Sequence, residues 1–273
     1  MRVALTGNTM TYFSGQPLYV FEAAREFKRV GHEVDVISEW SDNELKQILE
    51  SEGVNCLTRG NGVYDVAYFS ELSRGVEART IINIVHSEYE CETPIKGCGG
   101  YVCIRPSIKE HIINEHNIPG DKIVIIRNGV DRDRFKPVAR EQRDYKLLVA
   151  PCTLDPLRSA FINHLASTAS QERRVMFIGD NYGIRINKNE FVEIVKPEFN
   201  VEKFIQQADE VHGILLGRVN IEAYSCGIDS YIWNPDTLEV YKFEPENFDE
   251  EYNIKNVVKK LIKFYDALTK ESR

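Results

Sequence analysis

Residues 2–38, RVALTGNTMTYFSGQPLYVFEAAREFKRVGHEVDVIS, read as one β–loop–α–β unit. RVALT (2–6) is a short buried-strand candidate that runs into a glycine-containing loop. LYVFEAAREFKRVGH (18–32) sets Leu18, Phe21, Ala24 and Phe27 at helical spacing, and Gly31 is placed to stop that helix. EVDVIS (33–38) is apolar at alternate positions and β-branched, which predicts a second strand. The whole stretch has the length of one parallel βαβ unit.

Outward from this unit the alternation continues. Strand signals recur at 54–57, 64–69, 80–86, 100–104 and 123–127, with helical stretches at 42–51 and 107–116. Alternating strand and helix predicts a parallel, doubly wound sheet. The polar segment RNGVDRDRFKPVAREQRDYK (127–146) then reads as a boundary before a fresh apolar strand, LLVA. A second alternation follows, with strands at 146–150, 174–178, 191–195, 211–216 and 229–233 and helices at 155–169, 201–208 and 219–226. Two domains are therefore expected, 1–138 and 139–273, each a Rossmann-like α/β unit, facing a cleft of the kind cofactors prefer. A last helix, 253–269, carries an apolar stripe that needs a domain to pack on, and the N-terminal domain is one candidate.

Bulk properties narrow the function. The 273 residues are 42% hydrophobic and 28% charged, the composition of a globular protein. A net charge of −8 argues against general nucleic-acid binding. No apolar run reaches the ~18 residues a membrane span needs, and MRVALTGN lacks secretory-signal character, so a cytoplasmic location is expected. None of the 6 cysteines has C-x2-C spacing. Cys56, Cys103, Cys152 and Cys226 read as buried thiols, and a Cys91–Cys98 bridge is not expected in a reducing compartment. Arg25, Lys28 and Arg29 interleave with Glu22 and Glu26 on the first helix and read as a solvated face rather than a lipid contact.

The first loop carries chemistry. A strand ending at Gly7 and re-entering a helix near Gly15–Pro17 directs backbone N–H groups and the positive end of a helix at whatever sits there, which suits a diphosphate or a sugar hydroxyl. A tight turn without a ligand is the plain alternative. The loop is not a P-loop, since no Lys-Ser/Thr follows the glycines, and G-x-G-x-x-G is absent, which disfavours a dinucleotide-dependent dehydrogenase.

NGVDRDRFKP (128–137) closely resembles the interdomain connection of GT-B glycosyltransferases of the family-4 type, with Arg127 where that pattern has proline. SGQPLYVFEAAREFKRVGHEVDVIS resembles the same family's first loop and helix, RVMFIGD its glycine-aspartate turn, and QADEVHGILLGRVNIEAYSCGID its glutamate helix. The resemblance implies a GT-B protein that moves a sugar from a UDP- or GDP-linked donor to an acceptor, retaining configuration, with no metal or other cofactor required. It implies that Glu222 grips the nucleotide ribose and that Arg158, Arg218 and the helix start at Gly217 hold the diphosphate. Gly213 and Asp180 complete the donor side. His86 is expected on the transferred sugar, with Gly15 allowing close backbone approach and Ser14 and Asn8 on the acceptor side. The acceptor itself (a glycan, lipid or small molecule) is not specified.

Two departures matter. The family's first glutamate falls at Ile214, and its diphosphate arginine falls at Pro151, which leaves Arg158 and Arg218 as the cations. A degenerate GT-B protein that binds a nucleotide-sugar or a partner without catalysis is the alternative these losses raise. A nucleotide-sugar 2-epimerase or hydrolase shares the architecture.

Overall fold

The computed structural model describes residues 1–11, 15–70, 75–88, 93–234 and 237–271. The chain forms two compact units, Met1–Gly129 with Asn247–Arg273, and Val130–Glu246.

The first unit is built on a seven-stranded sheet. Its strands are β1 (Arg2–Thr6), β3 (Glu33–Ile37), β5 (Asn55–Leu57), β6 (Val63–Phe69), β7 (Glu77–Val85), β8 (Gly100–Cys103) and β9 (Ile123–Ile125). They run in the order β5-β3-β1-β6-β7-β8-β9, every pair parallel. Parallel strands are covered on both faces, so their residues are buried in runs rather than alternately. In β6, Val66 to Phe69 are all buried, and in β3 so are Val34 to Ile37. The alternation read in EVDVIS therefore does not mark a half-exposed strand. Asp35 is buried too, and its carboxylate is met by Arg2 at 3.1 Å, the Tyr64 hydroxyl at 2.6 Å and the Asn55 amide at 2.7 Å.

Helix α1 (Gly15–Arg29) buries Leu18 through Ala24 and Phe27 against this sheet. Gly31 stops it in the left-handed region, φ 91°, while His32 N–H donates to the Phe27 carbonyl at 3.1 Å. Arg25 pairs with Glu52 and Arg29 with Glu26, and of the three basic residues Arg29 is exposed while Arg25 and Lys28 are half-buried. Glu22 and Glu26 are buried, however, and do not belong to that face. Short strands β2 (Thr9–Met10) and β4 (Trp40–Ser41) pair with each other, and α2 (Asn43–Ser51) and α3 (Pro106–Asn114) complete the crossovers.

The terminal helix α8 (Ile254–Glu271), preceded by α7 (Phe248–Tyr252), belongs to this first unit. Val257, Val258 and Leu261 are buried, and the Tyr68 hydroxyl donates to the Leu261 carbonyl at 3.1 Å. Gly100 lies so close beneath α8 that a Cβ there would come within 2.7 Å of Phe264 and Leu268.

The second unit carries the strands β10 (Lys146–Pro151), β11 (Arg173–Ile178), β12 (Val192–Val195), β13 (Glu210–Ile214), β14 (Asp229–Trp233) and β15 (Val240–Lys242). Their order is β12-β11-β10-β13-β14-β15, parallel except for the antiparallel edge strand β15. Helices α4 (Ser159–Ser167), α5 (Glu202–Ile205) and α6 (Arg218–Ser225) lie between strands. Phe161, Ile162 and Leu165 of α4 pack with Leu148, Ala150, Val175, Phe177 and Trp233 into one core cluster.

The division between the units lies upstream of 138. Phe135 is fully buried and its carbonyl accepts from Ser225 Oγ at 2.5 Å, while Arg134 pairs with Glu202 at 2.8 Å. The polar composition of 127–146 hides these anchors, which tie the segment to the second unit.

Candidate functional site

Among the described residues, most of those singled out by sequence follow the carboxyl ends of strands, each in its own sheet. In a parallel α/β sheet that edge is where ligands bind, because the loops and helix N-termini following the strands converge there.

In the second unit, three neighbouring strands contribute. Arg158 follows β10, Gly179 and Asp180 follow β11, and Gly217, Arg218 and Glu222 follow β13. The β10 and β11 loops touch directly: Leu154 N–H donates to the Asp180 carbonyl at 3.0 Å, and Tyr182 N–H to the Leu154 carbonyl at 2.8 Å. Gly179 is fixed by sterics, since a Cβ would sit 1.9 Å from the Cys152 carbonyl oxygen. Asp180 is exposed. Arg158 is held by Asp155, whose side chain accepts from both the Arg158 guanidinium and its backbone N–H.

The turn from β13 into α6 is strained. Leu215 has φ 53°, the left-handed region that β-carbon-bearing residues avoid, and its N–H is held by the Trp233 carbonyl at 2.9 Å. Gly217 caps α6, its N–H donating to Asn220 Oδ1 at 3.3 Å, and the Asn220 amide donates to Ser230 Oγ and the Tyr231 carbonyl. Gly213 permits this packing, because a Cβ would lie 2.7 Å from Asn220 Oδ1 and 2.8 Å from Val219. Gly213 is thus a packing residue of β13, one strand residue away from the loop.

Arg218 and Glu222, expected to take different parts of a donor, meet each other. Arg218 Nε donates to Glu222 Oε1 at 2.6 Å across one turn of α6, and both side chains are about nineteen-twentieths buried, at 6% and 5% exposure. A solvent-facing role for Glu222 is thereby excluded.

In the first unit, Asn8 follows β1 and is exposed, its carbonyl accepting from Glu39 N–H at 3.0 Å. Gly15 opens α1 and is exposed. Ser14 lies outside the described residues, as does Cys91. His86 follows β7 and is buried, with its Nε2 3.2 Å from Ser70 Oγ and its ring edge-on to Tyr19 at 5.2 Å. Burial lowers its pKa to about 4, a shift that the neighbouring Asn128 side chain only partly opposes. The imidazole is therefore neutral at physiological pH.

Sequence reasoning missed Ser70, Tyr19, Asn128 and Asp155. Asn128 stood inside the NGVD segment, and Ser70 ends the YDVAYFS strand beside β7, where strand-end polar residues are a readable signal. Nothing in the pattern of α1 distinguishes Tyr19 from a core aromatic.

Cys98, Cys103 and Cys226 are buried and Cys56 and Cys152 half-buried, all as free thiols. Burial pushes Cys103, Cys152 and Cys226 up to about 12. Among the described residues no helix is long and apolar enough to cross a membrane, and no three His, Cys, Asp or Glu side chains group to hold a metal. Two surface pockets of the first unit, about 360 and 300 Å³, hold none of the candidate residues.

Similar solved structures show the fold. A glycosyltransferase from Rickettsia africae matches with a TM-score of 0.74 over 98% of both chains, at 13% identity. Anabaena HepE, solved in complex with UDP and glucose, matches with a TM-score of 0.71 over 98% of this chain and 100% of its own, at 11% identity. The chain has the GT-B glycosyltransferase fold. Sucrose-phosphate synthase from Thermosynechococcus elongatus matches likewise, with a TM-score of 0.67 over 99% of both chains at 11% identity. No family model matches the sequence, and no curated protein does.

Proposed function

We propose that this chain is a retaining, metal-independent glycosyltransferase of the family-4 type that uses a nucleoside-diphosphate sugar. One observation carries the reading: three adjacent strand ends of the second sheet present Arg158, the Gly179–Asp180 turn and the Arg218–Glu222 start of α6 on one edge. The GT-B fold and the UDP and glucose of the HepE structure support it.

In this reading the second unit takes the donor. The N–H groups at the start of α6 and the guanidinium groups of Arg158 and Arg218 face the charge that builds on the diphosphate as the sugar leaves, which is where fixed donors lower a barrier. Glu222, held by Arg218, is the group for the ribose hydroxyls, and the neutral imidazole of His86 is the first unit's group for a sugar hydroxyl. Asn8 and Gly15 lie on the acceptor side. UDP is the favoured nucleotide on the HepE precedent, and GDP is the next to test.

Calorimetry and thermal shift with UDP-, GDP-, ADP- and dTDP-glucose in EDTA test this directly. One nucleotide-sugar should bind and raise Tm by mass action. Arg158→Ala should weaken that binding about tenfold, the loss of one charge-assisted contact. Silence toward all four donors would sink the reading and put the degenerate protein in its place, as the absent first glutamate at Ile214 and the proline at 151 suggest.

A further inference from the structure

Trp233 is the last residue of β14, and it is held both by its side chain and by its backbone. The indole is buried, at 6% exposure, and its Nε1–H donates to His212 Nδ1 at 2.8 Å. The Trp233 carbonyl accepts from Leu215 N–H at 2.9 Å.

The first of these bonds fixes the imidazole as well as the indole. A ring nitrogen that accepts carries no proton, so the His212 proton sits on Nε2, which lies 3.3 Å from Glu210 Oε2. Glu210 is paired in turn with Arg173 at 3.1 Å, and the imidazole stacks on the Tyr231 ring with centroids 4.9 Å apart. Burial lowers the His212 pKa, a shift that the Glu210 carboxylate opposes. At neutral pH Nδ1 therefore keeps the lone pair that the indole needs.

Two elements that carry the second unit's candidate cations meet at this one residue. Phe161 and His164 of α4 face the indole with ring centroids 5.7 and 5.1 Å away, and Arg158 is the N-cap residue of α4. Leu215 lies in the turn from β13 to α6. Its carbonyl accepts from Gly217 N–H at 2.8 Å, Gly217 is the N-cap of α6, and Arg218 is that helix's first residue. A φ of 53° at Leu215 persists only where neighbours hold it, and the Trp233 carbonyl is one of them.

We propose that Trp233, oriented by His212, is a positioning residue for the donor's diphosphate, setting α4 and the β13–α6 turn and through them the separation of Arg158 and Arg218. The diphosphate rests on the donor reading above, and the inference goes beyond that reading in naming what fixes its two cations. A buried indole suits the task, because the ring is rigid and its single N–H decides how it is turned.

Trp233→Phe, His212→Leu and His212→Asn test this. The phenyl keeps an aromatic ring without the N–H, the leucine removes the acceptor, and the asparagine supplies another in Oδ1. NMR of the free ¹⁵N-labelled protein follows the Trp233 indole and the Nε–H groups of Arg158 and Arg218. The chain's other tryptophan, Trp40, is exposed, which separates the two indole signals. Calorimetry measures UDP and UDP-glucose well below Tm. Trp233→Phe and His212→Leu should move both arginine signals and weaken UDP about fivefold, the scale of one lost hydrogen bond. His212→Asn should recover most of the affinity and keep the indole signal at its hydrogen-bonded position. In an Arg158→Ala background the further loss from Trp233→Phe should shrink to about twofold, since part of what the indole positions is gone.

A lower Tm with arginine signals and UDP affinity unchanged means a purely structural indole and overturns the proposal. Movement of only one arginine signal also overturns it, as does His212→Asn behaving like His212→Leu. If the parent protein binds neither UDP nor UDP-glucose, the donor reading fails. The arginine signals of the free protein then uphold the positioning of the two elements or overturn it.

Discussion

Arg218 and Glu222 show what burial does to an ordinary i,i+4 pair. On an exposed helix such a pair contributes a few tenths of a kcal/mol. Here both side chains are removed from water, at 6% and 5% exposure. Breaking a buried pair by removing one partner costs about 3–5 kcal/mol. Glu222→Ala should therefore lower stability by that order in urea denaturation, before any effect on ligand binding is considered. The double variant Arg218→Met/Glu222→Leu should recover most of the loss. A single variant within about 1 kcal/mol of the parent would mean that water or another group screens the pair.

At the scale of elements, close approach at strand ends sets the second unit's loops. Gly179 leads β11 into the turn that carries Asp180, and its N–H bonds the Val195 carbonyl at 3.0 Å. Since a Cβ would fall 1.9 Å from a backbone oxygen, no side-chain rotation relieves Gly179→Ala. The β10 and β11 loops must move apart, and strain of this kind costs roughly 1–3 kcal/mol or more. The expected outcome is a lower Tm together with loss of whatever binds at that edge. Gly217→Ala is the control: its nearest neighbour would be the Ile214 carbonyl at 3.8 Å and its φ of −97° suits any residue, so Tm should hardly change. Equal behaviour of the two variants would refute the steric argument.

For the whole molecule, two buried histidines set the response to acid. Burial depresses the pKa of His86 to about 4, and burial also lowers that of His212, whose Nδ1 accepts from Trp233 Nε1 at 2.8 Å. An unfolded histidine takes up its proton near pH 6.5, but the folded chain refuses it until lower pH, so protonation favours unfolding. Stability should be flat above neutrality and fall as pH drops from about 6.5 toward 4, with His86 alone accounting for about 3 kcal/mol at the acid end. Urea midpoints measured from pH 8 to pH 4 check this, and His86→Gln should flatten the slope. The terminal helix is also a whole-molecule matter. A chain ending at residue 246 lacks α7 and α8 and exposes Gly100 and the sheet beneath Val257, Val258 and Leu261. It should lose the first unit's cooperative unfolding while the fragment 130–246 still folds.

The sequence by itself determined the alternation of strand and helix and the parallel sheets, because apolar runs, helix-stopping glycines and strand spacing are local properties, whereas the GT-B fold was implied by the resemblance that NGVDRDRFKP and its flanking segments carry. It also placed Arg158, Asp180, Gly217, Arg218 and His86 at strand ends, where a parallel sheet collects them. Only the tertiary structure decided which of these meet. Arg218 and Glu222 lie four residues apart, and nothing local says that packing will bury both and pair them. Likewise the NGVDRDRFKP segment reads as a polar linker until Phe135 and Arg134 are seen anchored in the second unit. Ser70 and Tyr19 meet His86 only through the pairing of β6 with β7 and the packing of α1. Side chains distant in sequence share a site when strand order makes them neighbours, and strand order is a property of the folded chain.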